Sequence, residues 1–243
     1  MAGRPRGDTP PRRPFHGRRH GRQLRSGLKA LLRDLLPRLS VTLPPDERTL
    51  DPGSVFPPLA GGGPRPVWLE IGFGAGEHLA WQARAHPDVG MLGAEFFVNG
   101  IAQLLRRVDH EHLDAVRIFQ GDARDLLEAL PAASIDRAFI LFPDPWPKAR
   151  HHKRRMIQRA TLDHLARITR DGVELRLATD DMPYARWMLE QMVGHPDFVW
   201  LAEGPDDWRQ RPADWPPTRY EAKAKASGHR PVFLRFVRRK RPM

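Results

Sequence analysis

Val67-Trp68-Leu69-Glu70-Ile71-Gly72-Phe73-Gly74-Ala75-Gly76-Glu77 passes from a short apolar run through three glycines into a segment of helical pattern that ends near Pro87. Residues 67–71 read as a strand. The glycines let the backbone approach a ligand and take φ values closed to other residues. A strand, a glycine loop and a helix in that order predict the nucleotide-type turn of an open α/β sheet. A dinucleotide fingerprint would set its third glycine at position 77, where Glu77 stands. A carboxylate there suits the positive end of a helix but repels a pyrophosphate.

The next acids extend this reading. Glu70 stands near the end of the first strand. Met91 to Ala94 predicts a second strand ending in Glu95, 23 residues after Gly72, where a carboxylate can accept hydrogen bonds from ribose hydroxyls. Asn99 to Val108 predicts a helix with Ile101, Leu104, Leu105 and Val108 on one face. Val116 to Phe119 is a third strand, followed by Gly121-Asp122-Ala123, and Asp122 is placed for adenine recognition. A pocket edged by such acids suits a cofactor with cationic groups and no phosphate. S-adenosylmethionine, with a sulfonium and an ammonium, meets that description, and there is no Walker-type lysine loop.

Leu141-Phe-Pro-Asp-Pro-Trp-Pro-Lys-Ala-Arg-His-His-Lys-Arg-Arg155 follows a fourth strand expected over Phe139 to Phe142. Three prolines fix φ and forbid further ladder bonding, so the strand ends at a rigid corner. Asp144, between two of them, has little backbone freedom and sits at the strand's C-terminal end, where open α/β sheets bind ligands. Lys148, Arg150, Lys153, Arg154 and Arg155 follow with no acid among them, which points to a polyanion.

Farther on, Met156 to Ile168 predicts a helix and Val173 to Ala178 a strand leading into Thr179-Asp180-Asp181, where Asp180 either caps the next helix, Met182 to Met192, or touches substrate. Phe198 to Leu201 and Pro231 to Val237 are further strands. Between them lie a polar, proline-rich loop, 204–217, with Trp208 and Trp215, and then Thr218-Arg219-Tyr220-Glu221. That tetrad mixes groups able to stack on and bond a base, and it also carries a capping-box pattern.

Residues 1–25 hold eight arginines against Asp8 alone, seven of the formal net charge of +11, with almost nothing apolar. Such a segment cannot offset its ordering entropy by burial, so a disordered basic arm able to contact phosphates is expected. Residues 26–64 read as a helix, Ser26 to Leu36, with Pro37 beyond its end, and then a linker rich in Pro and Gly. Residues 65–243 form the main domain. Zero cysteines exclude disulfides, thiolate zinc sites, iron–sulfur clusters and cysteine nucleophiles. His151 and His152 lack partners at metal-ligand spacing, so no metal is expected. With no long apolar run and no apolar leader, a soluble cytoplasmic protein away from membranes is expected, monomeric or dimeric.

Leu69-Glu70-Ile71-Gly72-Phe73-Gly74-Ala75-Gly76, Glu95, Asp122, Phe142-Pro143-Asp144-Pro145-Trp146, Lys148 and Thr218-Arg219-Tyr220-Glu221 together resemble the bacterial tRNA (guanine-N7-)-methyltransferases over roughly residues 65 to 240. The proline turn with its basic continuation is the specific part. The glycine loop marks only the wider Rossmann-like class. The resemblance implies a doubly wound α/β domain, a Rossmann-like class I methyltransferase with a seven-stranded, mostly parallel sheet. It also implies transfer of a methyl group from S-adenosylmethionine to N7 of guanine 46 in the variable loop of tRNA. By position it assigns Glu70, Gly72, Gly74, Glu95, Asp122 and Asp144 to the cofactor. Lys148, Asp180, Thr218, Arg219, Tyr220 and Glu221 go to the substrate, and Arg150, His151, His152, Lys153, Arg154 and Arg155 to RNA. The arm lies beyond the family's usual core.

Guanine N7 already carries a lone pair and no proton, so its attack needs neither a general base nor a metal. Asp144 is then the expected catalytic residue, orienting guanine and cofactor and stabilising the positive charge that passes to the purine. A nucleic-acid methyltransferase acting on an exocyclic amine, a non-catalytic RNA-binding protein of the same fold, and a small-molecule methyltransferase are the competing readings.

Overall fold

The computed structural model describes residues 17, 19–44 and 49–241. The apolar runs form one sheet of seven strands: β1 (Val67–Ile71), β2 (Gly90–Glu95), β3 (Val116–Gln120), β4 (Arg137–Leu141), β5 (Glu174–Thr179), β6 (Phe198–Trp200) and β7 (Val232–Arg238). Their order across the sheet is β3-β2-β1-β4-β5-β7-β6, with β1 to β5 parallel and β7 antiparallel to both neighbours. The order reverses between β1 and β4, which pair directly in register Ile71 to Ile140. An open α/β sheet binds ligands in the crevice beyond the carboxyl ends of its strands at such a reversal. The glycine loop and the proline turn flank it.

The central strands are apolar on both faces because helices cover both. Val67, Leu69 and Ile71 of β1 face one core with residues of α5 (Ala123–Ala129), α6 (Arg159–Ile168) and α7 (Met182–Val193). Trp68 faces the other, with α3 (Glu77–Ala85) and α4 (Val98–Glu111). The alternation of a strand puts Glu70 on the side of Trp68.

The N-terminal helix is interrupted. α1 (Ser26–Asp34) gives way at Leu35 to α2 (Leu36–Leu39), whose first turn contains Pro37, and Leu31, Leu32, Leu35 and Leu36 pack on the second core. The segment expected as a linker is fastened along β3 and to the end of α5. Val41 N donates to Ile118 O at 2.8 Å, Leu50 N donates to Ala129 O at 2.8 Å, and Phe56 is buried under the Arg117 guanidinium. This covers the edge strand, which would otherwise offer unpaired backbone groups.

Residues 19–25, expected as part of a disordered arm, are tied to the start of α4. Val98 N donates to Arg19 O at 3.0 Å, Gly21 N to Asn99 Oδ1 at 2.7 Å, and Asn99 Nδ2 to Arg22 O at 2.7 Å. Residues 1–16 of that arm lie outside the described residues.

Two short helices complete the chain: α8 (Asp206–Arg209) and α9 (Arg219–Ala226). The loop between them is held by Trp215, 1% exposed and packed against Phe233 and His78. Asp214 adds an ion pair with buried Arg176 at 2.7 Å.

Candidate active site

β4 ends one residue before the sequence pattern predicts, because Phe142 takes φ 52°. Trp146 takes φ 44°, so left-handed residues bracket Pro143-Asp144-Pro145. Neither is glycine, and such backbone persists only where surrounding contacts over-determine it. Phe142 N donates to Ala178 O at 2.8 Å on the strand side. On the far side Arg155 Nε donates to Pro145 O at 2.8 Å, with its guanidinium over the rings of Tyr184 at 5.0 Å and Trp187 at 4.8 Å.

The turn forms one wall of a cavity of about 370 Å³, lined also by Gly72, Gly74, Glu95, Asp122 and Tyr220. Gly74 adopts φ +55°, and a Cβ there would lie 3.0 Å from the Tyr220 hydroxyl. The Tyr220 ring lies nearly parallel to Phe142, 17° between planes and 6.2 Å between centroids, so it joins the glycine loop to the proline turn.

Three expected carboxylates meet in this cavity in different states. Glu95 Oε2 accepts from Gly74 N at 2.8 Å, and its Oε1 accepts from Phe96 N and Phe97 N at 2.7 and 2.9 Å. These bonds leave one acceptor position on Oε2. Burial pushes the Glu95 carboxyl up, the three N–H groups pull it back, and the Asp144 charge adds to the rise. Asp122 caps α5 by accepting from Arg124 N at 3.0 Å, and both its oxygens face the Arg124 guanidinium. Sequence reasoning missed Arg124, which stands two residues after the acid that it satisfies. No group among the described residues donates to the Asp144 carboxylate, and burial pushes it above the ordinary aspartate value.

The remaining residues divide. Glu70 does not reach the cavity. It is 2% exposed on the opposite side of β1 and meets His78 Nδ1 at 2.7 Å, because strand alternation turns it toward α3. Glu77 also faces away from the cavity: its Oε2 accepts from Arg219 N at 2.8 Å and so anchors α9. The cavity is therefore not simply acidic, since Arg124, Arg154 and Arg155 line it beside the carboxylates.

Arg155, expected on RNA, is 4% exposed and spent on the turn and two rings, so it presents no face to a phosphate. Arg154 lies over Trp146 at 5.1 Å, and His152 packs on Trp187 at 5.4 Å. His151 meets the Trp146 ring edge-on at 5.9 Å. Lys148, Arg150 and Lys153 are exposed along a 3₁₀ turn, Ala149–Arg154.

Asp181 rather than Asp180 caps α7, accepting from Tyr184 N at 2.7 Å. Asp180 faces His229 at 3.7 Å. Thr218 caps α9 through its hydroxyl, which accepts from Glu221 N at 3.3 Å. Glu221 does not complete a capping box. It is 3% exposed and paired with Arg211 at 3.2 Å and Lys225 at 2.7 Å.

The strand order, the ligand crevice at its reversal and the carboxylates along the strand ends define a Rossmann-like class I methyltransferase. Residues 64–234 match the family model described as "Putative methyltransferase". The fold is shared with an rRNA methylase from Streptococcus thermophilus at TM-score 0.50 and 10% identity, over 72% of this chain and 88% of that one. It is shared also with a cofactor-bound protein from MTB, Rv0187, at TM-score 0.51 and 18% identity, over 88% and 90%. At those identities the likeness speaks for the fold alone. A curated tRNA (guanine-N(7)-)-methyltransferase of Rhodospirillum rubrum is 50% identical over 232 residues, 93% of this chain and 88% of that protein. The chain belongs to the tRNA (guanine-N7-)-methyltransferase family.

Proposed function

We propose that this protein methylates N7 of guanine 46 in the variable loop of tRNA, acting in the cytoplasm with S-adenosylmethionine as donor. The observation that carries the reading is Asp144: a carboxylate without a donor among the described residues, fixed between left-handed residues, at the reversal point of the sheet. The cavity suits that cofactor. Gly72, at φ +71°, has open space where a Cβ would stand, and Glu95 keeps an acceptor for a hydroxyl. Gly72, Gly74, Glu95 and Asp122 would hold it, and when bound it supplies a sulfonium-borne methyl group.

The chain's own task is then positioning. Guanine N7 brings its lone pair, so no residue has to remove a proton. Correct approach alone supplies on the order of 7 kcal/mol or more. Asp144 faces the positive charge that reaches the purine, and a carboxylate held in place by its turn stabilises it without reorganising. Tyr220, between the two loops, closes the cavity over the reacting atoms.

Incubating the protein with S-adenosylmethionine and unmodified tRNA, then identifying the nucleosides by mass and chromatography, tests the proposal. It predicts 7-methylguanosine at position 46. A methylated exocyclic amine would transfer the reading to its rival, and tight tRNA binding with no product would end it.

A further inference from the structure

A second, larger cavity, about 820 Å³, lies beyond α9. Its floor includes Phe233, Val232 and Met182, the last 45% exposed. Arg209, Arg211, Lys225, His229 and Arg230 stand around it against one acid, Glu221, whose charge Arg211 and Lys225 already meet. Arg209 and Arg230 have no acidic partner among the described residues. The Arg209 guanidinium lies over the Trp208 indole, 4.6 Å from the ring centroid. An indole that holds a guanidinium flat presents a planar cation, on which a base can stack.

The two cavities share one wall. Tyr220 lines the first and its neighbour Glu221 lines the second, so the first turn of α9 is the partition between them. Exposed Arg219 and Tyr220, 42% exposed, form its crest. A single strand laid over that crest would place consecutive nucleotides on either side.

Resting on the function proposed above, we infer that the second cavity holds the tRNA nucleotide adjacent to the methylated guanine, its base on the Arg209–Trp208 pair and its phosphate near Arg230 and His229. Charge complementarity and the shared wall select RNA as the occupant. Neither residue belongs to the methyl-transfer cavity, so the effect falls on RNA capture and not on chemistry.

The test measures KM for tRNA, kcat, cofactor affinity and sedimentation for the intact protein. Arg209→Glu with Arg230→Glu should raise KM for tRNA at least tenfold. It should leave kcat within twofold and cofactor affinity unchanged, and flatten the log–log salt dependence of tRNA binding by about 1, since Arg230 meets the phosphate while Arg209 lies under a base. Arg209→Lys keeps the charge but loses the planar face, and should recover only part of the KM. Arg230→Glu, on an exposed loop, gives the same direction should the double variant unfold. Arg106→Glu, on exposed α4 surface outside both cavities, is the control.

An unchanged KM, or an equal rise in the control, overturns the inference. So does a changed sedimentation with KM intact, which would make the cavity a contact between copies of the chain. Failure of the unaltered protein to make 7-methylguanosine would strike the functional reading instead, and the two failures are separable.

Discussion

Asp144 combines two properties that pull against each other. Its carboxyl is pushed above the ordinary aspartate value by burial, so the folded protein binds its proton more tightly than the unfolded chain does. The sign follows from linkage. Stability contributed by this group falls as pH rises from the unfolded value through the raised folded one, and above that window the ionised carboxylate is a constant cost. Activity runs the other way, because only the ionised form answers a developing purine cation, so turnover should be lost as pH falls through the same window. Asp144→Asn is therefore expected to lower kcat about 10²–10³-fold, with a thermal unfolding midpoint at neutral pH equal to the parent's or higher. A pH–rate profile and a melting curve check both, and a variant that keeps its turnover would remove Asp144 from the chemistry. At this scale the acids at strand ends were legible only in part. Glu95, Asp122 and Asp144, which follow strands in sequence, line one cavity. Parity along the strand, which counting to the strand's end ignores, sends Glu70 to His78.

The elements that hold the site make two further predictions. Arg155 belongs to a run of cations whose members look alike in sequence, yet it alone of that run is buried, between the proline turn and two aromatic rings. Burial of one cation among several neighbours depends on α7 presenting Tyr184 and Trp187, information absent from the local pattern. Arg155→Ala should cost about 2–4 kcal/mol of unfolding free energy, from the lost carbonyl bond and cation–π contacts. Kcat should fall while tRNA affinity, measured below the lowered melting point, stays within twofold. A matching loss of tRNA affinity would restore the phosphate role. Gly100 shows the reverse dependence, a glycine in mid-pattern whose reason lies in another loop. A Cβ there would sit 2.2 Å from the Gly74 carbonyl oxygen, and backbone cannot swing aside as a side chain does. Gly100→Ala should displace the glycine loop and weaken cofactor binding at least tenfold in a calorimetric titration, and unaltered affinity would show that the loop relaxes freely.

Across the whole molecule, the strand, glycine loop and helix pointed to an open α/β sheet, its doubly wound form came from the resemblance to the methyltransferase family, and the proline turn pointed to a ligand edge. Burial of Trp215 inside a polar loop was not legible, because its partners Phe233 and His78 come from β7 and α3. The basic arm was half legible: its charge could be read, but not its attachment through Arg19, Gly21 and Arg22 to the start of α4, nor the place of Gly17 at the cavity that holds Asp144. That attachment fixes where the arm leaves the body. Gly17 lines the cavity that holds Asp144, and residues 1–16 carry four arginines and one aspartate. An electrostatic arm contributes through released counterions, each neutralised phosphate of a duplex adding about 0.9 to the log–log salt slope. Removing residues 1–16 while keeping the anchor should therefore flatten the slope for tRNA by about 3 to 4 and weaken binding at low salt most. Cofactor affinity should stay within twofold, because the cavity and its Gly17 edge are retained. Binding isotherms at several salt concentrations decide the matter. An unchanged slope would mean that those arginines meet no phosphate, and that the net charge of the arm has no part in capturing RNA.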